Sequence, residues 1–199
     1  MIFRWVENER RYYNGRNQVI TEHRVRTEVR KVIDKQTVRI ETLSQRFVAG
    51  KISSEQWAAE MRSLIKPPHT QAAMTAHGGS KALQGKPKEL GWLGAQLKKE
   101  YKFLDNFIRE VESGKQAKNG QLVARAKMYA QKANSTFENA VRRREQAAGL
   151  TEEKNIFGDA KHCQGCLDET EKGWQPIGEG VPIGERDCLA NDKCYLEFR

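Results

Sequence analysis

Four cysteines, all within the last 37 of 199 residues, set the tightest limit on what this chain can fold into. They read Cys163-Gln-Gly-Cys166, then 21 residues, then Cys188, then five residues, then Cys194. Residues 155–199 carry few apolar side chains, among them Ile156, Phe157, Leu167, Trp174, Ile177, Ile183 and Leu196, and many turn formers, including Gly173, Pro176, Gly178, Gly180, Pro182 and Gly184. A segment of that size cannot bury enough surface to hold an independent core, and a metal cross-link is a common remedy. Two cysteine pairs separated by a loop of about 20 residues suit four thiolates around a tetrahedral structural Zn²⁺. His162 directly precedes Cys163 and is a substitute ligand, although adjacent side chains seldom point at one metal. The second pair is spaced more widely than usual. A disulfide pair, a redox Cys-x-x-Cys and free thiols remain alternatives. Nothing in the N-terminal sequence is secretory, and no βαβ pattern surrounds the motif.

The remainder reads as helix. Val25, Val29, Val32, Ile33, Ile40, Leu43 and Phe47 recur at mostly three- and four-residue steps from about Thr21, and Gly50 is placed to close that helix. Ser53 and Gln56 form a capping box, flanked by an Ile52/Trp57 staple, and Trp57, Met61, Leu64 and Ile65 form the buried face. Pro67-Pro68 is expected to stop this second helix. The short connection makes an antiparallel hairpin. Residues 69–88 read mostly as loop, with His69 and His77 solvated there and not bound to metal. A third stripe runs Leu90, Leu93, Leu97, Tyr101, Leu104, Ile108 and Val111, widened by Phe103 and Phe107. A fourth helix is expected from about Gln121 to Ala148, its Ala126, Ala130 and Ala133 admitting a close neighbour. The Arg142-Arg143-Arg144 run at its end suits the negative pole of the helix dipole.

The predicted fold class is therefore mainly α: elongated helical hairpins or a bundle, with a small irregular zinc-knuckle module at the C-terminus. The expected divisions are a basic N-terminal arm (1–20) that docks on something else, a helical body (21–150) and the cysteine module (151–199). Charge follows these divisions, at +5 over residues 1–50, +9 over 51–150 and −5 over 151–199. A basic body favours polyanions such as DNA, or an acidic protein, without selecting a sequence. With 38% apolar and 31% charged residues and a mean hydropathy of −0.79, the chain offers no membrane span. The first residues lack the apolar run of a signal peptide, so a reducing cytoplasm is the expected setting.

Several short matches lie along the chain: Gly50-Lys51-Ile52-Ser53 with Trp57 and Met61, His77-Gly78-Gly79, Leu104-x-x-Phe107, Arg125-Ala126-x-Met128-Tyr129-Ala130 and Thr136-Phe137-Glu138. The most specific is Gly158-x-Ala160-x-His162-Cys163-x-x-Cys166, followed by Gly173-Trp174-x-Pro176-Ile177-Gly178 and Cys188. Together they resemble the minor head, or head-morphogenesis, proteins of tailed bacteriophages, including the Mu F-like class. The chain departs from that pattern at Asp192, where a further cysteine is expected. The resemblance implies a virion protein assembled in the host cytoplasm, in several copies or as a homo-oligomer. It would contact portal, capsid or neck proteins, and packaged DNA is a further partner for the basic helices. No catalytic activity is implied. The sequence also lacks Gly-x-Ser-x-Gly, a Walker A loop and His-Glu-x-x-His, and adjacent His162 and Cys163 make a poor nucleophile pair. The alternative reading is a zinc-dependent nucleic-acid-binding or regulatory protein.

Overall fold

The computed structural model describes residues 3–199 and is mainly helical. Strands β1 (Arg4–Val6), β2 (Arg11–Tyr13) and β3 (Val19–Ile20) form an antiparallel sheet in the order β1-β2-β3. Helices α1 (Glu22–Val48), α2 (Ser54–Ala76), α3 (Ser80–Gln84), α4 (Pro87–Glu112), α5 (Gly120–Gln131) and α6 (Ala133–Ala147) make the body. The C-terminal module contains β4 (Glu152–Ile156), α7 (Gln164–Glu171), β5 (Gln175–Pro176) and β6 (Tyr195–Phe198), with sheet order β5-β4-β6. No helix among the described residues is long and apolar enough to cross a membrane.

The hairpin of α1 and α2 follows its sequence signals closely. Thr21 caps α1 by accepting from the Arg24 N–H, and the reciprocal Ser53–Gln56 capping box starts α2. Gly50, at φ +70°, supplies the left-handed residue that ends the first helix. Between the helices runs an aromatic stack. Phe47 lies flat on Trp57 at 4.9 Å, Phe107 of α4 meets Trp57 edge-on at 5.4 Å, and Tyr129 of α5 stacks on Phe107 at 6.1 Å. Trp57 is fully buried, and its indole N–H reaches the Ser44 hydroxyl at 3.1 Å. Ala126, Ala130 and Ala133 are completely covered, as expected of small residues at helix contacts.

Several expectations need correction. Pro67 and Pro68 lie inside α2, which continues to Ala76. Proline deprives the carbonyls four residues back, Ser63 and Leu64, of their donors. Continuing the helix nevertheless buries Pro68, His69, Ala72, Ala73 and Ala76, and several of these pack with α6 residues Ala133, Phe137 and Ala140. Tertiary burial thus outweighs the local penalty. The loop expected over 69–88 is consequently mostly helix.

His69 and His77 are buried, not solvated. His69 Nε2 donates to the Tyr129 carbonyl at 3.1 Å, which leaves Nδ1 to accept from the Thr136 hydroxyl at 2.7 Å. A neutral imidazole satisfies both contacts, and burial pushes its pKa down to about 4.

The long fourth helix is interrupted at Lys132, which keeps right-handed dihedrals (φ −59°, ψ −18°). No breaker residue marks the spot. Instead Lys132 Nζ binds the Gly184 carbonyl, and Asn134 donates to the Asp192 carbonyl at 3.0 Å, so the cysteine module is fastened at this joint. On the third stripe Leu90 and Phe103 are exposed, as is Val32 on α1.

The basic arm docks on its own chain. Tyr12 is buried, and its hydroxyl donates to the Ala76 carbonyl at 2.9 Å while accepting from Arg144. The Arg144 guanidinium lies 3.4 Å from the Trp5 ring centroid and pairs with Glu145 and Glu22. Gly78 explains the His77-Gly78-Gly79 run. A Cβ there would fall 2.2 Å from the Trp5 backbone nitrogen, at a φ of +85°. Arg142 and Arg144, expected to serve the helix dipole, are buried ion-pair partners, Arg142 facing Glu153 at 2.7 Å.

Candidate metal centre

The module's own core is small. Cys166, Ile183, Cys194 and Leu196 are buried together, with Cys163, Cys188 and Phe198 packed against them. Two devices assemble it. Cys163 is the extended N-cap of α7 (φ −81°, ψ 169°), and the next turn brings Cys166 back towards it, their sulfurs 3.5 Å apart. Cys188 opens the short 3₁₀ turn Leu189–Asn191, and its sulfur lies 3.5 Å from Cys166 Sγ. The two loops are tied by the Gly165 N–H, which donates to Asp187 Oδ2 at 3.0 Å.

All five donors expected from the sequence are brought together, in two sets that share one sulfur. Cys163, Cys166 and Cys188 form the first set; His162, Cys166 and Cys194 form the second. Within each set the ligand atoms lie within 4.8 Å of one another. His162 Nδ1 is 3.7 Å from Cys194 Sγ. His162 and Cys163 fall in different groups, in keeping with the extended backbone at Cys163, where successive side chains point to opposite sides. His162 is held flat against Phe157 at 4.1 Å. Gly158 lets this segment lie against the cysteine loop, since a Cβ there would sit 1.9 Å from the Lys193 carbonyl oxygen.

The donor set fits a metal ion. A tetrahedral centre with metal–sulfur bonds of about 2.3 Å has sulfur–sulfur edges of about 3.8 Å. The Cys163–Cys166 and Cys166–Cys188 separations of 3.5 Å are close to that edge and slightly shorter. The thiols' acidities point the same way. Burial and the neighbouring Asp192 charge push Cys194 up to about 12 and also raise Cys188. Burial opposes ionisation of Cys163 too, but the Cys166 N–H and the Cys188 thiol outweigh it and hold this pKa below the usual thiol value. A cluster of this kind bears one thiolate readily and further ones only beside a cation. The cysteines are free, with no disulfide among them.

Asp192, which departs from the cysteine pattern, has contacts that the pattern did not reveal. It is buried; Oδ1 accepts from the Cys194 N–H at 3.0 Å and lies 3.8 Å from Cys166 Sγ, while Oδ2 accepts from the Gly184 N–H at 3.1 Å. It therefore orders the Cys194 loop from beside the sulfurs. The sequence marked it as standing where a further cysteine is expected and as a residue that could share the metal, but it belongs to neither donor group. Arg186, with Nη1 2.8 Å from Asn155 Oδ1 and 3.7 Å from Asp192 Oδ2, braces the same loop against β4.

The body holds the module by its backbone. Arg26 donates to the Leu196 carbonyl at 3.3 Å and Arg30 to the Lys193 carbonyl at 3.1 Å, alongside the Lys132 and Asn134 contacts. Arg26 itself is buried and paired with Glu138 at 2.9 Å. Compared with protein-family models, curated proteins and solved structures, the chain finds no match.

Proposed function

We propose that this chain is a structural minor head protein of a tailed-bacteriophage virion, in which the cysteine cluster holds one structural zinc ion. The carrying observation is the pair of three-residue donor groups, His162/Cys166/Cys194 and Cys163/Cys166/Cys188, that share the Cys166 sulfur and are fastened to a helical body. Thiolate-rich tetrahedral sites favour zinc, and four protein ligands would leave no position for a water nucleophile. Such a centre stabilises a fold and does no hydrolysis.

The virion reading rests on where the resembling residues fall. Trp57 and Met61 lie in the aromatic core, Gly78 lies under Trp5, Gly158 lies against Lys193, and Cys163, Cys166 and Cys188 form one donor set. These are positions where the fold depends on residue identity, so they form a coherent structural pattern. The acidic module suits protein contact, and the basic body leaves packaged DNA as a second partner.

Mass spectrometry of purified phage particles from the host that encodes the chain tests the assignment, with stoichiometric presence expected. Absence from particles, together with salt-steep binding of short duplex DNA by the free chain, would favour the zinc-dependent nucleic-acid-binding alternative.

A further inference from the structure

Three of the four cysteine sulfurs form a chain of contacts centred on Cys166, whose Sγ lies 3.5 Å from that of Cys163 and 3.5 Å from that of Cys188. The two contacts are made differently. Cys163 is the N-cap of α7, and its carbonyl accepts from the Cys166 and Leu167 N–H groups at 3.0 and 3.2 Å. A single helical turn therefore holds the Cys163 and Cys166 sulfurs together, whatever happens elsewhere in the module. Cys188 arrives from a separate loop, which the Gly165 N–H ties to the turn through Asp187 Oδ2.

Exposure within the local pair is graded. Cys163 is half-buried and Cys166 is 1% exposed. An oxidant dissolved in water thus reaches Cys163 first, with a protected sulfur already in contact behind it. That is the arrangement in which an oxidised cysteine is resolved within its own chain. Cys166 also belongs to both donor groups. A bond between Cys163 and Cys166 would leave only three of the five donors, His162, Cys188 and Cys194, fewer than the four of a structural zinc site.

Given the zinc ion proposed above, we infer that Cys163 and Cys166 form a redox switch for the centre, closed to a disulfide by a hydroperoxide with release of the ion. The Cys163 thiolate attacks one peroxide oxygen, breaking the O–O bond and giving a sulfenic acid and hydroxide. The Cys166 thiolate then attacks the sulfenic sulfur, forming the S–S bond and expelling a second hydroxide. The two thiolates give up two electrons, hydrogen peroxide accepts them, and two solvent protons convert the hydroxides to water. Zn²⁺ leaves with its charge unchanged. The module then keeps its small apolar core and its contacts to the body but loses its central cross-link.

The test takes the reduced, zinc-loaded full chain through hydrogen peroxide and back through dithiothreitol with added zinc. A chromogenic chelator follows released zinc, and mass spectrometry of alkylated peptides locates the new bond. Loss of about one zinc and two thiols per chain is expected, with the disulfide mapping to Cys163–Cys166 and both losses reversed by dithiothreitol. Amide exchange over residues 152–198 should quicken as the zinc is released and recover on reloading. Zinc retained with all four thiols free would overturn the switch while leaving the zinc assignment intact. So would a disulfide engaging Cys188 or Cys194, or oxidation that dithiothreitol does not reverse. A reduced chain that binds no zinc would sink both.

Discussion

The helical body and the cysteine module solve the same problem with different materials. The body surrounds Phe47, Trp57, Phe107 and Tyr129 with aliphatic side chains drawn from four helices. The module has four buried core side chains, two of them cysteines, and its loop carbonyls are held by basic side chains reaching out of the body. Stability in the body scales with apolar area; stability in the module depends on a few directional contacts and, in the proposed state, an ion. One region should therefore yield gradually to substitution, and the other at particular atoms.

The sharpest way to break this comparison is at Cys166, the sulfur shared by both donor sets. Cys166→Ser is expected to lower bound zinc from about one per chain to a small fraction, as read by metal analysis, because it weakens every arrangement of these ligands. Amide hydrogen exchange should then show protection lost over residues 152–198 and retained in α1, α2 and α4. A metal-free C-terminus with unchanged protection would refute the zinc assignment.

Trp57→Ala attacks the other side. It should cost about 3–5 kcal/mol in denaturant unfolding, the range for a fully buried aromatic. Between the two regions stands Arg26, paired with buried Glu138 and donating to Leu196. Arg26→Leu should cost about 3 kcal/mol, since it leaves the Glu138 carboxylate buried alone. If the two regions are joined as described, that change also loosens β6 in hydrogen exchange.

A smaller effect comes from acid. The folded His69 pKa of about 4 lies below the ordinary value of about 6.5, so the unfolded chain binds the proton first. Its contribution is fully present above pH about 6.5 and is lost as pH falls towards 4. His69→Gln should flatten the stability slope between pH 6.5 and 5 by up to about 1.4 kcal/mol per pH unit. An unchanged slope would show that His69 does not titrate this way.

The sequence made the local devices visible and hid the long-range ones. Capping at Thr21 and Ser53 is written in neighbouring residues, as is the Cys163-x-x-Cys166 turn, so both were readable. The clustering of Cys188, Cys194 and His162 with that turn followed from residue chemistry alone. The course of α2 through Pro67-Pro68 was not readable, because what sustains it lies 60 or more residues away at Tyr129 and Thr136. The same holds for the arm, whose anchor at Arg144 is 132 residues from Tyr12.

Those long separations have a consequence for synthesis. A chain emerging from the ribosome presents α1 and the first sheet early, yet Tyr12 waits for Arg144 and Arg26 waits for the Leu196 carbonyl, 170 residues later. The α1–α2 hairpin can form as it emerges, whereas the first strands find their seat only after α6 is made. The first sheet, made before α6, is thus among the last parts to be locked. A partner acting during translation would meet that sheet undocked, with Trp5 and Tyr12 still exposed.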